Sequence, residues 1–246
     1  MNIGTRYKSK ARAKVGDGLL LGSSQALLDE LEPWEQRTLP VSANWRCVTY
    51  GNGLFVAIAN SSSIAATSPD GITWTQRALP VSGNWISVTY GNGLFVAIAY
   101  NSSIAATSPD GITWTQRALP VSANWLSVTY GNGLFVTVAQ SSTIAATSPD
   151  GVTWTQRTMP VNAVWVGLTY GNGMFVAVAQ NSTVAATSPD GITWTQRTLP
   201  VSSNWISVTY GNGVFAIIAN VSSIAATCTV GIGLSTYSPG LYLRLN

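Results

Sequence analysis

The sequence predicts an all-β protein: a five-bladed β-propeller closed by an N-terminal strand, with an extended N-terminal arm ahead of it. Three observations predict this. A 40-residue unit recurs in strict phase, marked by Trp45, Trp85, Trp125, Trp165 and Trp205 and by Trp34, Trp74, Trp114, Trp154 and Trp194. Together these are all ten tryptophans of the chain. Units of about 40–45 residues are the size of one four-stranded propeller blade. Each unit also reads as short strands split by turn residues, with no 3.6-residue apolar period. Finally, the pattern Trp-x-Gln-Arg stands once ahead of the first unit, at Trp34 to Arg37, and the last unit lacks its own copy: Thr229, Val230, Gly233 and Leu234 replace the Pro, Asp, Thr and Trp expected there. The N-terminal copy is expected to complete the fifth blade, tying the ends together and removing a sheet edge that invites aggregation.

The unit from Asn84 to Arg117 shows the elements in order. Trp85 to Tyr90 is rich in β-branched and aromatic residues and forms a first strand. Gly91-Asn92-Gly93 is a hairpin turn, since Asn and Gly tolerate positive φ. Leu94 to Ala99 is a continuous apolar run, which suits a second strand covered on both faces. Asn101-Ser102 turns the chain into a third strand, Ser103 to Thr107. Ser108-Pro109-Asp110-Gly111 is the next turn, with Pro presetting φ and Gly freeing it. Thr113 to Arg117 is the fourth strand, and Leu119-Pro120-Val121-Ser122 leads to the next unit. A lone unit cannot cover its own faces, so neighbouring units must stack to bury a core.

Outside the repeat the reading is coarser. Residues 1–33 form a basic arm, 34–231 the propeller and 232–246 a tail. In the arm, Arg6, Lys8, Lys10, Arg12 and Lys14 alternate with Tyr7, Ser9, Ala11 and Ala13, so an extended chain puts every charge on one side. Such an arm fits an acidic protein groove better than nucleic acid; a solvated tail is the bland alternative. Ser24 to Leu31 has the pattern of a short helix capped by Ser23 or Ser24. Leu241 to Leu245 alternates like a strand.

Ser68-Pro69-Asp70-Gly71-Ile72-Thr73-Trp74, repeated from Ser108, Ser148 and Ser188, resembles a shortened Asp-box of sialidase-like β-propellers. In that family the box is a structural hairpin at the blade periphery, so the resemblance implies Asp70, Asp110, Asp150 and Asp190 as structural residues. The wider pattern, Tyr-Gly-Asn-Gly-x-Phe-Val-Ala followed by Ser-Pro-Asp-Gly-x-Thr-Trp-Thr, is similar to repeats of phage and prophage tail-fibre or virion-associated proteins.

Composition narrows the function classes. The 246 residues carry 9% charged side chains, no histidine, two cysteines and a net charge of +3. The lack of histidine removes the commonest general base and metal ligand, and neither a metal nor a cofactor is expected. No apolar run of membrane-spanning length and no signal-peptide core is seen. Cys47 and Cys228 both replace a repeat serine, in the two units expected to meet at the seam; first and third strands lie at different radii, which disfavours a disulfide between them. Repeat copies account for nearly all later charges: Arg77, Arg117, Arg157 and Arg197 at one position, and the four aspartates at another. Catalytic groups are usually unique and individually tuned, so no enzyme is expected. The arginines are expected to stack on tryptophan or pair with aspartate, and the aspartates to cap their turns.

One face is a candidate for ligands. The loops between units carry Asn44, Asn84, Asn124 and Asn204; the turns between second and third strands carry Asn60, Tyr100, Gln140, Gln180 and Asn220. The latter vary between units, which fits recognition and fits relaxed constraint in a surface turn at least as well. The leading expectation is a non-catalytic virion structural or adhesion protein, present in several copies. Its arm would bind other virion proteins, and its propeller would serve host-surface recognition, with a glycan as the ligand, or particle decoration. The alternative is a free-standing, extracellular multivalent lectin.

Overall fold

The computed structural model of the chain describes residues 34–229. The basic arm with its short helix, and the tail over 232–246, lie outside the described residues. The described residues from Arg37 onward belong to one compact unit.

The described residues are all-β. Blade one is an antiparallel sheet of β1 (Asn44–Gly51), β2 (Leu54–Asn60), β3 (Ser62–Ser68) and β4 (Thr75–Gly83), in that order. Blade two repeats it with β5 (Trp85–Gly91), β6 (Leu94–Ala99), β7 (Ser102–Ser108) and β8 (Thr115–Ala123). Blades three and four share the long strand β11 (Thr155–Gly171). Its first half pairs with β10 (Leu134–Ser148), beside β9 (Trp125–Gly131); its second half pairs with β12 (Met174–Ala179), followed by β13 (Ser182–Ser188) and β14 (Thr195–Ser203). β11 is unbroken because Val164 stands where Asn84, Asn124 and Asn204 interrupt the equivalent strands, and a β-branched residue suits the extended backbone better than Asn. A terminal sheet of β15 (Trp205–Gly211), β16 (Val214–Ala219) and β17 (Ala225–Thr229) has three strands.

The Gly-Asn-Gly segments are two-residue hairpin turns. Asn52 and Gly53 have φ of 49° and 74°, and the other units repeat this; positive φ at both positions matches the twist of the flanking strands. The outer strands correct the sequence reading. β8 starts at Thr115 rather than Thr113 and runs on through Pro120 and Val121, so the expected linker is itself strand.

Blades pack through alternate faces of the same strands, because successive side chains of a strand point to opposite sides. At the first junction Val56, Ile58, Ala65 and Leu79 of blade one meet Trp85, Val88, Phe95 and Trp114 of blade two. Equivalent residues form the next three junctions, the last with the terminal sheet. The glycine ending each inner strand lets the next blade approach. A Cβ on Gly51, Gly91, Gly131 or Gly171 would lie 2.0–2.1 Å from Cγ of Tyr90, Tyr130, Tyr170 or Tyr210.

The expected closed five-bladed ring is corrected. Among the described residues there are four complete blades, not five. Trp34 to Arg37 forms no strand, Trp34 is fully exposed, and β17 pairs only with β16 among the described residues. The ends do not meet: Gly211 has nothing within 4 Å of a Cβ, and Tyr50 is 57% exposed while its four counterparts are half-buried. Each junction fixes the rotation between neighbours, and four such rotations leave β1 and β15 apart. Cys47 and Cys228 are both free.

Candidate functional site

The site is built where each inner strand begins. The backbone N–H of Tyr100 donates to Asn84 O at 2.8 Å, and the same bond recurs from Gln140 to Asn124 (2.8 Å), Gln180 to Val164 (2.9 Å) and Asn220 to Asn204 (2.8 Å). These bonds pin the second-to-third-strand turn beside the start of the inner strand, so two sequence-distant positions share one face. Positive φ at Ser61, Asn101, Ser141, Asn181 and Val221 makes the turn tight.

A cavity of about 410 Å³ opens there. It is lined by Asn44, Asn60, Asn84, Tyr100, Gln140 and Gln180, with Arg46, Ile86, Leu126 and Val166. Six of the nine expected ligand residues are thus brought together. Asn124, Asn204 and Asn220 do not line it; Asn204 Oδ1 instead accepts from Gln180 Nε2 at 2.6 Å. The polar groups are already cross-linked. Ser61 Oγ donates to Asn60 Oδ1 at 2.7 Å and contacts Asn84 Oδ1 at 3.1 Å. Tyr100 OH donates to Gln140 Oε1 at 3.2 Å across two blades.

The lining holds neutral donors and acceptors, one aromatic hydroxyl, three aliphatic side chains and a single charge, Arg46. Amides offer donors and acceptors together, and a few polar groups set among apolar ones are the usual make-up of a small-molecule site. The sequence reading missed Arg46, Ile86, Leu126 and Val166. Their signal was present: they follow the invariant tryptophan and vary between units, as the turn positions do.

The aspartates lie elsewhere, at the turns between third and fourth strands. Asp110 Oδ1 accepts from the N–H of Ile112 and Thr113 at 2.9 and 2.8 Å and from Ser108 Oγ at 2.9 Å. The backbone bond from Thr113, then that from Ile112, holds the Asp110 carboxyl below its ordinary value of 3.8. Asp70, Asp150 and Asp190 repeat this cap, and Trp74, Trp114, Trp154 and Trp194 each donate Nε1 to the turn glycine's carbonyl at 3.1 Å. The arginines differ from expectation. Arg77, Arg117, Arg157 and Arg197 each donate Nε to a third-strand threonine hydroxyl at 3.0 Å. No group of three or more metal-ligating residues occurs among the described residues.

No family model and no curated protein matches the chain. Solved structures do. A streptogramin B lyase is 15% identical with a TM-score of 0.67, covering 78% of this chain and 70% of its own. A virginiamycin B lyase from Staphylococcus aureus is 15% identical with a TM-score of 0.68, covering 78% and 72%. YCF48 bound to D1 peptide is 18% identical with a TM-score of 0.61, covering 78% and 65%. The sialidase and phage resemblances have no counterpart among these similarities. The expectation that such a chain is no enzyme is corrected, since the similar structures include a lyase. At these identities the likeness shows the fold alone, and that fold is the β-propeller.

Proposed function

We propose that the chain is a recognition module whose amide-lined cavity binds an uncharged, hydroxyl-rich ligand, a glycan of a cell surface. In the same reading, the basic arm of Arg6, Lys8, Lys10, Arg12 and Lys14 holds it to an acidic partner on a phage particle. The observation that carries the binding half is convergence: Asn60, Asn84 with Tyr100, Gln140 and Gln180 come from four successive blades to one cavity. Paired amide donors and acceptors suit vicinal hydroxyls, and Tyr100 beside Ile86 and Leu126 supplies an apolar wall for a sugar ring. A single cationic side chain argues against a polyanionic ligand.

The test is a glycan array probed with the whole chain, followed by calorimetry on each hit. Binding that weakens at least about tenfold in Tyr100→Ala, one well-made contact being worth about 1.4 kcal/mol, supports the reading. Absence of glycan binding, or hits indifferent to substitutions at 84, 100 and 140, would refute it. A second reading, a peptide ligand, is favoured by the YCF48 structure, which is bound to D1 peptide. A peptide array read with the same variants separates the two.

A further inference from the structure

The four junctions between neighbouring sheets are near-copies of one another, so they state what each face of a unit is built to meet. Two such faces have no neighbour. On blade one, Val48 is 58% exposed, whereas its counterparts Val88, Val128, Leu168 and Val208 are 5–8% exposed. Tyr50 beside it is 57% exposed. On the far side of the terminal sheet, Ile218 is 52% exposed, whereas Ile58, Ile98, Val138 and Val178 are all at 0%. Gly211 stands ready for a tyrosine that does not arrive.

A third observation points to the same place. A groove of about 510 Å³ lies between blade four and the terminal sheet, lined among others by Val176, Leu199, Phe215 and Ile217. The three preceding junctions hold Trp114, Trp154 or Trp194 as part of their core, each 8% exposed. The terminal unit has no tryptophan of its own for that role: Leu234 stands at the position. The tryptophan left without a blade is Trp34, and its spacing to Trp45 equals that of Trp74 to Trp85.

We propose that copies of this chain associate head to tail. Blade one of one copy seats Val48 and Tyr50 on Gly211 and Ile218 of the next, while its Trp34 to Arg37 pairs with β17 as the missing fourth strand and its indole enters the groove. Within the chain the Tyr–Gly approach and the pairing of third with fourth strand each already exist four times and the buried indole three times, and the sequence order from Trp34 into β1 repeats that from Trp74 into β5. The occupant is a second copy rather than the chain's own first blade, because in one copy Tyr50 and Val48 are exposed and a Cβ on Gly211 meets nothing within 4 Å. Such an interface is heterologous, so it grows into longer assemblies unless its rotation closes them.

Sedimentation of the whole chain over a range of concentrations tests this. The mass is expected to rise in multiples of 25.9 kDa. Gly211→Ala is the informative variant. Its Cβ has open space in a single copy but would meet a docked Tyr50 as a Cβ on Gly91 would meet Tyr130, at 2.0 Å. It should keep the wild-type circular dichroism spectrum and sediment as one copy. Tyr50→Glu blocks the opposite face, so an equimolar mixture with Gly211→Ala should recover a one-to-one dimer. A wild type that stays at 25.9 kDa at every concentration overturns the proposal. So does a mixture that fails to pair, or a Gly211→Ala that melts earlier without any change of mass, which is the signature of closure by the chain's own N-terminal segment.

Discussion

Replacing Gly131 by alanine places the junction model under direct strain. The new Cβ would stand 2.0 Å from Cγ, 2.4 Å from Cδ1 and 2.5 Å from Cδ2 of Tyr170, where ordinary contact begins near 3.4 Å. Either blade four retreats or the tyrosine turns away. Retreat opens a core in which Trp165 and Phe175 are fully buried. Rotation breaks the tilted pair of Tyr170 and Phe175, whose centroids are 4.6 Å apart. Overpacking costs about 1–3 kcal/mol and a lost aromatic pair about 0.5–1.5 kcal/mol, so the expected loss is about 2–4 kcal/mol. At about 2–4 °C per kcal/mol for a chain of this size, the melting temperature should fall by about 4–16 °C. Thermal unfolding followed by circular dichroism in dilute protein measures it. Gly211→Ala is the control, expected within about 0.5 kcal/mol of wild type because its surroundings are open. Adding Tyr170→Ala should remove most of the Gly131→Ala penalty. Equal effects at 131 and 211, or no coupling to Tyr170, would refute the reasoning.

Other expectations follow from single sites. Thr137 is fully buried with its hydroxyl unpartnered, where the other blades have alanine; Thr137→Val should stabilise by about 1 kcal/mol in a thermal melt. Val221 holds φ of 50° in an exposed turn where Asn101 and Asn181 sit in the same conformation, so Val221→Asn should gain about 1 kcal/mol by relieving left-handed strain on a β-branched residue. Asp110 and its three counterparts have lowered carboxyl values from backbone N–H bonds. Their stabilisation is therefore fully present above the ordinary 3.8 and is lost as the pH falls through the lower folded value. Melting temperature should drop on acidification below 3.8, and Asp110→Asn should flatten that slope.

Local order was written in the sequence. The hairpins at Asn52-Gly53 and their repeats, the apolar second strands and the capped turns at Asp70, Asp110, Asp150 and Asp190 follow from short-range chemistry, since conformational preference and hydrogen bonding within a few residues decide them. Pairing of position 84 with 100, and of 124 with 140, was also legible, because a repeated unit must bring the same two turns together each time. Closure was not. Whether Tyr50 reaches Gly211 depends on the rotation accumulated over four junctions, set by how Trp85, Trp125, Trp165 and Trp205 wedge between sheets, and no single unit encodes that sum. The variation at Arg46, Ile86, Leu126 and Val166 was visible in the sequence, but that these side chains share one cavity was not. Repetition determines the unit and its turns; the angle at which one unit stacks on the next, a packing quantity shared between two of them, decided that the first and last sheets do not meet and which of their surfaces were left uncovered.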